Sequence, residues 1–133
     1  MSRPVRRYLP PEPLNQTHDL AGFASRSPEQ TRWLTSYARS AHAAGTVRVF
    51  VVTEPDDPTV VAYYGWRMGQ LTLAEVPARW RPGVGRYPQP VAVLARLAVD
   101  IRHEGNGLGA GLLIDVMARF LDLAEAIGVR GLL

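Results

Sequence analysis

The clearest pattern of apolar and polar positions lies in the last third of the chain. Residues 91–99 (VAVLARLAV) are apolar except for Arg96, which predicts a central strand buried on both faces. After a glycine-bearing loop, apolar residues recur at spacings of three and four, which predicts an amphipathic helix. Its apolar face comprises Leu108, Leu112, Val116, Phe120, Leu123 and Ile127, and its polar face comprises Asp115, Arg119, Asp122 and Glu125. Gly128 is expected to end this helix before a further strand that begins at Val129.

The first half of the chain predicts one helix and several antiparallel strands. Ser27 and Pro28 are typical of a helix start, and Gln30 would complete a capping box. Gly45 is expected to end this helix. Its buried face is predicted at Trp33, Leu34, Tyr37, Ala38 and Ala41. Strands are predicted over residues 5–9, 47–53, 59–68 and 71–76, with a turn at 55–58. These elements indicate an α+β fold in a single domain of residues 1–133, with one layered mixed sheet flanked by helices.

Composition narrows the classes of function. The chain of 133 residues has 47% hydrophobic and 20% charged residues, which is ordinary for one globular domain. It contains no cysteine, so disulfides, thiol catalysis and cysteine-ligated metals are excluded. The three histidines have no metal-like spacing, so no metal site is expected. No apolar stretch reaches about 18 residues without a charge and the N-terminus has no signal-peptide pattern, so we expect a cytoplasmic protein with no membrane segment.

The loop between the predicted strand and helix has the composition of an anion-binding turn. It reads EGNGLGA and consists of Glu104, Gly105, Asn106, Gly107, Leu108, Gly109 and Ala110. Glycines at a helix entrance let a ligand approach the backbone, and the N–H groups of the first turn then point at that ligand. Such a place suits a phosphate or pyrophosphate, and the alternative is a glycine-rich turn that packs tightly on the strand. The spacing does not fit the dinucleotide-binding fingerprint, and the P-loop requires a lysine that this chain lacks.

The same loop resembles motif A of the GCN5-related N-acetyltransferases, which reads Gln/Arg-x-x-Gly-x-Gly/Ala between a central strand and a long helix. Glu104, Gly107 and Gly109 fall on its three defining positions, although the family has Gln or Arg in place of Glu104. The runs LARLAVD, GLG and LL are more narrowly similar to the acetyltransferase toxins of bacterial type II toxin-antitoxin modules. Residues 11–14 (PEPL) and 18–19 (HD) extend this resemblance over nearly the whole chain.

The resemblance implies an acetyl-CoA-dependent N-acetyltransferase that acetylates the α-amine of aminoacyl-tRNA, with an antitoxin protein as a partner. It places the pyrophosphate of acetyl-CoA on the backbone of the seven loop residues, and the pantetheine amides and the oxyanion on N–H groups near Leu97 and Val99. The amine needs little help from a base, because its pKa of about 7.7 to 8.0 leaves a neutral fraction at neutral pH. In relatives a tyrosine acts as the general acid, and it lies after the strand that begins here at Val129. The sequence ends at Leu133, so no residue is assigned as catalytic.

Relatives of this type continue through a further helix and strands, so the resemblance implies that the C-terminal part of the family domain is absent. We therefore expect a slow enzyme or an inactive one, and the alternative function is a truncated module that binds CoA or a partner protein. One sheet edge is expected to be open. A second copy of the chain in a homodimer, a partner chain, or the missing part of a longer product would cover it.

Residues 77–90 (PARWRPGVGRYPQP) form a second candidate site. Arg79, Arg81 and Arg86 alternate with two aromatic residues, a composition that can place cations on phosphates and rings against bases. The alternative is a solvated loop. All 15 basic residues are arginine and the net charge is +3, which suits RNA or a nucleotide but also follows from a codon bias toward arginine. The implied tRNA substrate favours RNA binding by these three arginines.

Overall fold

The computed structural model describes residues 7–71, 89–127 and 131–132. The elements are, in chain order, β1 (Glu12–Pro13), α1 (Pro28–Ala44), β2 (Arg48–Thr53), β3 (Val60–Leu71), β4 (Gln89–Val99), a 3-10 turn (Ile101–His103), α2 (Leu108–Ile127) and β5 (Gly131–Leu132). The five strands form one sheet in the order β1-β2-β3-β4-β5. The first three strand pairs are antiparallel and β4 pairs with β5 in parallel, so the predicted α+β fold with a mixed sheet is confirmed.

Side-chain alternation along the strands divides the core into two clusters, one under each helix. Tyr63 packs on the α1 side and Tyr64 on the α2 side, and both side chains are fully buried. The α1 side buries Leu34, Ala38, Val49, Val51, Val60 and Tyr63, and the α2 side buries Phe50, Val52, Tyr64, Ala92, Leu112 and Val116. Each helix is therefore held on the sheet by its own apolar cluster.

Helix α1 begins and ends as predicted. The Ser27 hydroxyl accepts a hydrogen bond from the Gln30 N–H at 3.2 Å, and Gly45 ends the helix with a φ of 75°. The second half of the predicted capping box is wrong, because the Ser27 N–H donates to the Ser25 hydroxyl and not to the Gln30 side chain. The Gln30 side chain turns toward the sheet, where its oxygen accepts from the Tyr63 hydroxyl at 3.3 Å.

The predicted buried face of α1 is wrong at one residue. Leu34 and Ala38 are fully buried, and Trp33 and Ala41 pack partly against them, but Tyr37 is 56% exposed. At 100° per residue, Tyr37 lies about 80° around the helix from the midpoint of Leu34 and Ala38, whereas Trp33 lies about 120° from it and still packs partly on the core. Angular position on the helix therefore does not by itself explain the exposure of Tyr37.

The N-terminal edge of the sheet lies further along the chain than predicted. Residues 7–9 are not a strand, although the Leu9 N–H donates to the Thr53 carbonyl at 2.9 Å. Pro10 and Pro11 follow and have no N–H, so they interrupt the pairing. Strand pairing is resumed by β1, which pairs with β2. The first two residues of the predicted strand, 5 and 6, lie outside the described residues.

The two predicted strands on either side of the turn at 55–58 are observed as β2 and β3. The turn itself is confirmed, and Asp56 occupies it with a φ of 62°, a backbone conformation that aspartate tolerates. Strand β3 is longer than predicted, because Leu71 ends it and pairs with Gln89, where a separate strand was expected to begin. Residues 72–76 of that expected strand lie outside the described residues.

The central strand and the long helix are confirmed, and β4 begins at Gln89, two residues before the predicted start. Leu112 and Val116 are each 1% exposed against the sheet, and three further apolar positions, Leu108, Phe120 and Leu123, are partly buried beside them. The side chain of Ile127 and the expected helix stop and strand start at 128–130 lie outside the described residues. The expectation that β4 is buried on both faces is wrong at its C-terminal half, where Ala95 is exposed. Neither helix is long and apolar enough, over the described residues, to cross a membrane.

Candidate functional site

The glycine loop joins the C-terminal end of β4 to the first turn of α2. Gly105 and Gly107 have φ values of 80° and 77°, in the left-handed region that favours glycine. A Cβ added at Gly107 or Gly109 would meet no other atom within 4 Å. A side chain at either position would therefore point into open space, so close packing on the strand is not what requires these two glycines.

The first turn of α2 leaves backbone donors unused. The first hydrogen bond of this helix joins the Gly111 N–H to the Gly107 carbonyl at 3.0 Å, so the N–H groups of Leu108, Gly109 and Ala110 have no acceptor within the helix. In α1 the Ser27 hydroxyl satisfies the equivalent donor, whereas α2 has a glycine at this position and no acidic residue in its first turn. Three donors without a helical acceptor, at the positive end of a helix dipole, can bind an anion such as a phosphate.

Asp100 fixes the point at which the glycine loop leaves the sheet. Its buried carboxylate accepts hydrogen bonds from the backbone N–H groups of Ala24 (3.0 Å) and Arg102 (2.9 Å), and from the Arg102 guanidinium at 3.0 and 3.1 Å. Burial alone would raise the pKa of Asp100, but these hydrogen bonds and the Arg102 charge lower that pKa to about 2. The carboxylate is therefore charged at neutral pH and ties the loop to the chain that precedes α1.

The Glu104 side chain forms an ion pair with Arg26. Both of its carboxylate oxygens accept from the Nε of Arg26, at 2.8 and 2.9 Å. The guanidinium offsets the negative charge of Glu104, which would otherwise repel an anion bound at the loop. The Asn106 side chain also stabilises the loop, because its amide donates a hydrogen bond to the His103 carbonyl at 2.9 Å. These side-chain contacts therefore help to fix the conformation of the loop.

The backbone N–H groups of Leu97 and Val99 lie along the edge of β4 that faces away from β3. The Asp100 N–H donates to the Val61 carbonyl of β3 at 2.8 Å, and N–H directions alternate along a strand. The N–H groups of Leu97 and Val99 therefore point to the opposite edge. Over the described residues, β5 pairs only with Val91 and Ala92, so no strand pairs with β4 at 97–99. Over the described residues these two donors have no strand partner, and a carbonyl group of a ligand can accept from donors of this kind.

A polar cluster fixes α2 across the sheet. The Tyr64 hydroxyl donates to Asp115 Oδ2 at 2.6 Å, and Arg119 Nε donates to the same oxygen at 2.8 Å. The Arg119 guanidinium also donates to the Pro11 carbonyl and lies 4.1 Å from the centre of the Phe50 ring. Burial and the Asp115 carboxylate raise the pKa of Tyr64, so its hydroxyl remains a donor. The expectation that Asp115 faces solvent is therefore wrong, because a buried tyrosine requires an acceptor there.

The second candidate site, which comprises Arg79, Arg81 and Arg86, lies outside the described residues. Within the described part of the chain, no group of three or more His, Asp or Glu side chains is placed to hold a metal ion. Sequence reasoning missed Asp100 and Arg26. Asp100 follows an apolar strand and precedes Arg102 by two residues, a pattern that indicates a carboxylate paired with an arginine at the strand end. No local feature of the sequence connects Arg26 to Glu104.

Comparison with known proteins gives relatives and structures but no matching family model. A tRNA-acetylating toxin from Mycobacterium tuberculosis is 35% identical over 126 residues, which cover 95% of this chain and 74% of that protein. The structure of AtaT complexed with acetyl-methionyl-tRNAfMet has a TM-score of 0.85 and 22% identity, covering 95% of this chain and 76% of that one. A point mutant of AtaT bound to acetyl-CoA and the C-terminus of the antitoxin AtaR has a TM-score of 0.77 and 23% identity. This match covers 95% of the present chain and 72% of the AtaT chain. The two structures establish the fold alone.

Proposed function

The chain belongs to the family of tRNA-acetylating toxins, and from that premise we propose that it is an acetyl-CoA-dependent N-acetyltransferase acting on the α-amine of aminoacyl-tRNA. The observation that carries the proposal is the glycine-capped first turn of α2, whose first three N–H groups have no acceptor within the helix and which follows a strand edge with no strand partner at 97–99 over the described residues. This arrangement fits a long ligand with an anionic pyrophosphate at one end and amides along its length. Acetyl-CoA has this chemistry.

Each part of the site has a proposed role toward acetyl-CoA, which supplies the acetyl group as a thioester. The backbone of Glu104, Gly105, Asn106, Gly107, Leu108, Gly109 and Ala110 would bind the pyrophosphate. The N–H groups of Leu97 and Val99 would hold the pantetheine amides and the oxygen that gains negative charge during transfer. Asp100 and Arg26 position the loop without touching the ligand. No residue is assigned as the catalytic acid.

Transfer of the acetyl group to charged tRNA is the first prediction. Purified protein is incubated with acetyl-CoA and aminoacyl-tRNA, the ester is hydrolysed, and N-acetyl-amino acids are measured by mass spectrometry. We expect N-acetylated product, with a rate that rises with pH toward about 8, because only the neutral amine is nucleophilic and its pKa is about 7.7 to 8.0. Free amino acids are the control and should remain unmodified. Binding of CoA without any transfer would support the alternative function, a module that binds CoA or a partner protein.

Two partners follow from the same proposal. The AtaT structure with the C-terminus of AtaR supports an antitoxin protein as a partner of this chain. A homodimer stays a prediction, which sedimentation velocity of the purified chain would test. We propose that the protein acts in the cytoplasm, where aminoacyl-tRNA is present.

Contact between the arginines of residues 77–90 and tRNA is the second prediction. We propose that Arg79, Arg81 and Arg86 bind phosphates, and we expect the triple Arg→Gln variant to bind tRNA more weakly. Each lost phosphate contact should also reduce the slope of log affinity against log salt by about 0.7 to 0.9. The affinity for CoA should be unchanged, because the glycine loop is separate in sequence. Identical salt slopes for the wild type and the triple variant would show that these arginines do not contact RNA.

A further inference from the structure

A pocket lies between α1 and β4, on the face of the sheet opposite to α2. Its volume is about 280 Å³, and this α1 pocket is lined by Glu29, Arg32, Trp33, Tyr37 and Arg96. Arg96 lies on β4 and directly precedes Leu97, and the other four residues lie on α1. The pocket therefore adjoins the strand edge whose N–H groups are proposed to hold the thioester end of acetyl-CoA.

One wall of the α1 pocket is a fixed stack of side chains. The Trp33 ring stacks on the buried Tyr63 ring, with the ring centres 6.0 Å apart and the ring planes at 8°. The Arg96 guanidinium lies 5.3 Å from the centre of the Trp33 ring and donates to Glu29 Oε1 at 3.0 Å. The charges of Arg96 and Glu29 offset each other, so this wall is already in place before any ligand binds.

Two side chains of the α1 pocket have no partner in the described part of the chain. Tyr37 is 56% exposed, its ring stacks on no other ring and its hydroxyl forms no hydrogen bond. Arg32 is exposed and forms neither a hydrogen bond nor an ion pair. A nucleobase can stack on an exposed aromatic ring, and a free guanidinium can donate two parallel hydrogen bonds to a phosphate. The pocket therefore offers one stacking surface and one anion-binding group.

The position of the α1 pocket fits the chemistry of the proposed substrate. In aminoacyl-tRNA the amino acid is esterified to the ribose of the 3′-terminal nucleotide, so this nucleotide has to lie beside the acetyl group when the amine attacks. A pocket that includes Arg96 is next to Leu97 on the same strand. The glycine loop leads instead into α2, which packs on the other face of the sheet. A nucleotide in the pocket therefore does not occupy the first turn of α2.

We propose that the α1 pocket binds the 3′-terminal nucleotide of the tRNA substrate, with the base stacked on Tyr37 and a phosphate of the same strand on Arg32. The proposal rests on the proposed function, because it names the residues that hold the end of the tRNA to which the amine is attached. An acidic peptide is disfavoured, because one free guanidinium beside the Glu29 carboxylate holds a single anionic group, whereas an exposed ring suits a base.

The test measures RNA binding by variants that each change one feature of the pocket. Tyr37→Ala removes the ring and Tyr37→Phe keeps it, and Tyr37 is exposed, so neither change disturbs the core. Arg32→Gln removes the free charge. Arg48→Gln is the matched control, because Arg48 is also exposed and without a partner over the described residues but lines a groove on the α2 face. Affinity for a fluorescent single-stranded RNA that ends in CCA is measured by anisotropy over a range of salt concentrations.

The ring and the charge are expected to act differently. Tyr37→Ala should weaken binding by about 5- to 100-fold, the range for one lost stacking contact, and Tyr37→Phe should stay within about twofold of the wild type. Arg32→Gln should reduce the slope of log affinity against log salt by about 0.7, for one lost contact with a single strand, and Arg48→Gln should leave the slope unchanged.

An RNA whose terminal nucleotide lacks its base identifies the partner of Tyr37. The wild type should bind this RNA as weakly as Tyr37→Ala binds the intact RNA, and Tyr37→Ala should bind both RNAs equally. If the wild type binds both RNAs equally, or if Tyr37→Ala binds the intact RNA as the wild type does, the pocket does not hold the terminal base.

The remaining outcomes separate this proposal from the proposed function. If Tyr37→Ala keeps its affinity for RNA but changes which aminoacyl-tRNAs are acetylated, the pocket receives the amino-acid side chain instead. If the wild type acetylates aminoacyl-tRNA and Tyr37→Ala keeps its KM for that substrate, the pocket proposal fails while the enzymatic function stands. RNA binding that depends on Tyr37 and on the terminal base, without any acetyl transfer, would support the pocket and overturn the enzymatic function.

Discussion

Replacing Gly107 with valine is expected to abolish CoA binding. Gly107 has a φ of 77°, which a β-branched residue adopts only with strain of about 1 to 3 kcal/mol. The added side chain would also occupy space beside the loop that is open in the structure, since a Cβ at Gly107 meets no atom within 4 Å. Both effects act where the pyrophosphate would lie, so isothermal titration with CoA should show no measurable heat of binding for Gly107→Val.

A matched control distinguishes a blocked site from an unfolded protein. Gly111 lies one turn further into α2, and a Cβ added there meets no atom within 4 Å. Gly111→Ala should keep the wild-type affinity and stabilise the helix by about 0.5 to 1 kcal/mol, because alanine loses less backbone entropy than glycine. A thermal melt of Gly107→Val establishes that it is folded. Equal CoA affinity for the wild type and folded Gly107→Val would reject the glycine loop as the cofactor site.

The elements that carry the candidate site could be predicted because their signals are local. Strand β4, the glycine loop and α2 are read from apolar periodicity and glycine spacing within about 40 consecutive residues, and the structure has all three in place. The same holds for the start of α1 at Ser27 and its end at Gly45, where short-range capping chemistry decides the boundary. Where hydrogen bonds and packing act over a few residues, the pattern of the sequence is sufficient.

The contacts that position the site could not be predicted because they join distant parts of the chain. Arg26 and Glu104 are 78 residues apart, and Ala24 and Asp100 are 76 apart. Helical periodicity also placed Asp115 on the solvent side, since periodicity records only that a residue is polar. The structure shows that a buried hydroxyl on β3, that of Tyr64, needs the Asp115 carboxylate as its acceptor. Polar residues at the edge of an apolar stripe are thus the least predictable part of the site.

Replacing Asp100 with asparagine is expected to lower the free energy of unfolding by about 2 to 3 kcal/mol at pH 7. The substitution keeps the size of the side chain but removes a buried charge that accepts from Ala24 and from Arg102. Hydrogen bonds to a charged group contribute about 1.5 to 3 kcal/mol each when lost, and the asparagine amide can still accept at one oxygen. Urea unfolding at pH 7 measures the difference. Because Asp100 fixes the start of the glycine loop, CoA affinity should also fall in this variant.

The pH dependence of that difference identifies the charge as its cause. Hydrogen bonds and the Arg102 charge outweigh burial and lower the pKa of Asp100 from 3.8 to about 2 in the folded protein. The carboxylate therefore stabilises the fold above about pH 4, and this contribution is lost as the pH falls toward 2, where the folded form is also protonated. The gap in unfolding free energy between the wild type and Asp100→Asn should narrow over that interval. Glu125→Gln, which removes an exposed carboxylate from α2 at little change in helix propensity, measures the effect of one lost negative charge alone. A gap that stays constant from pH 4 to pH 2 would mean that the ionised carboxylate of Asp100 does not hold the loop.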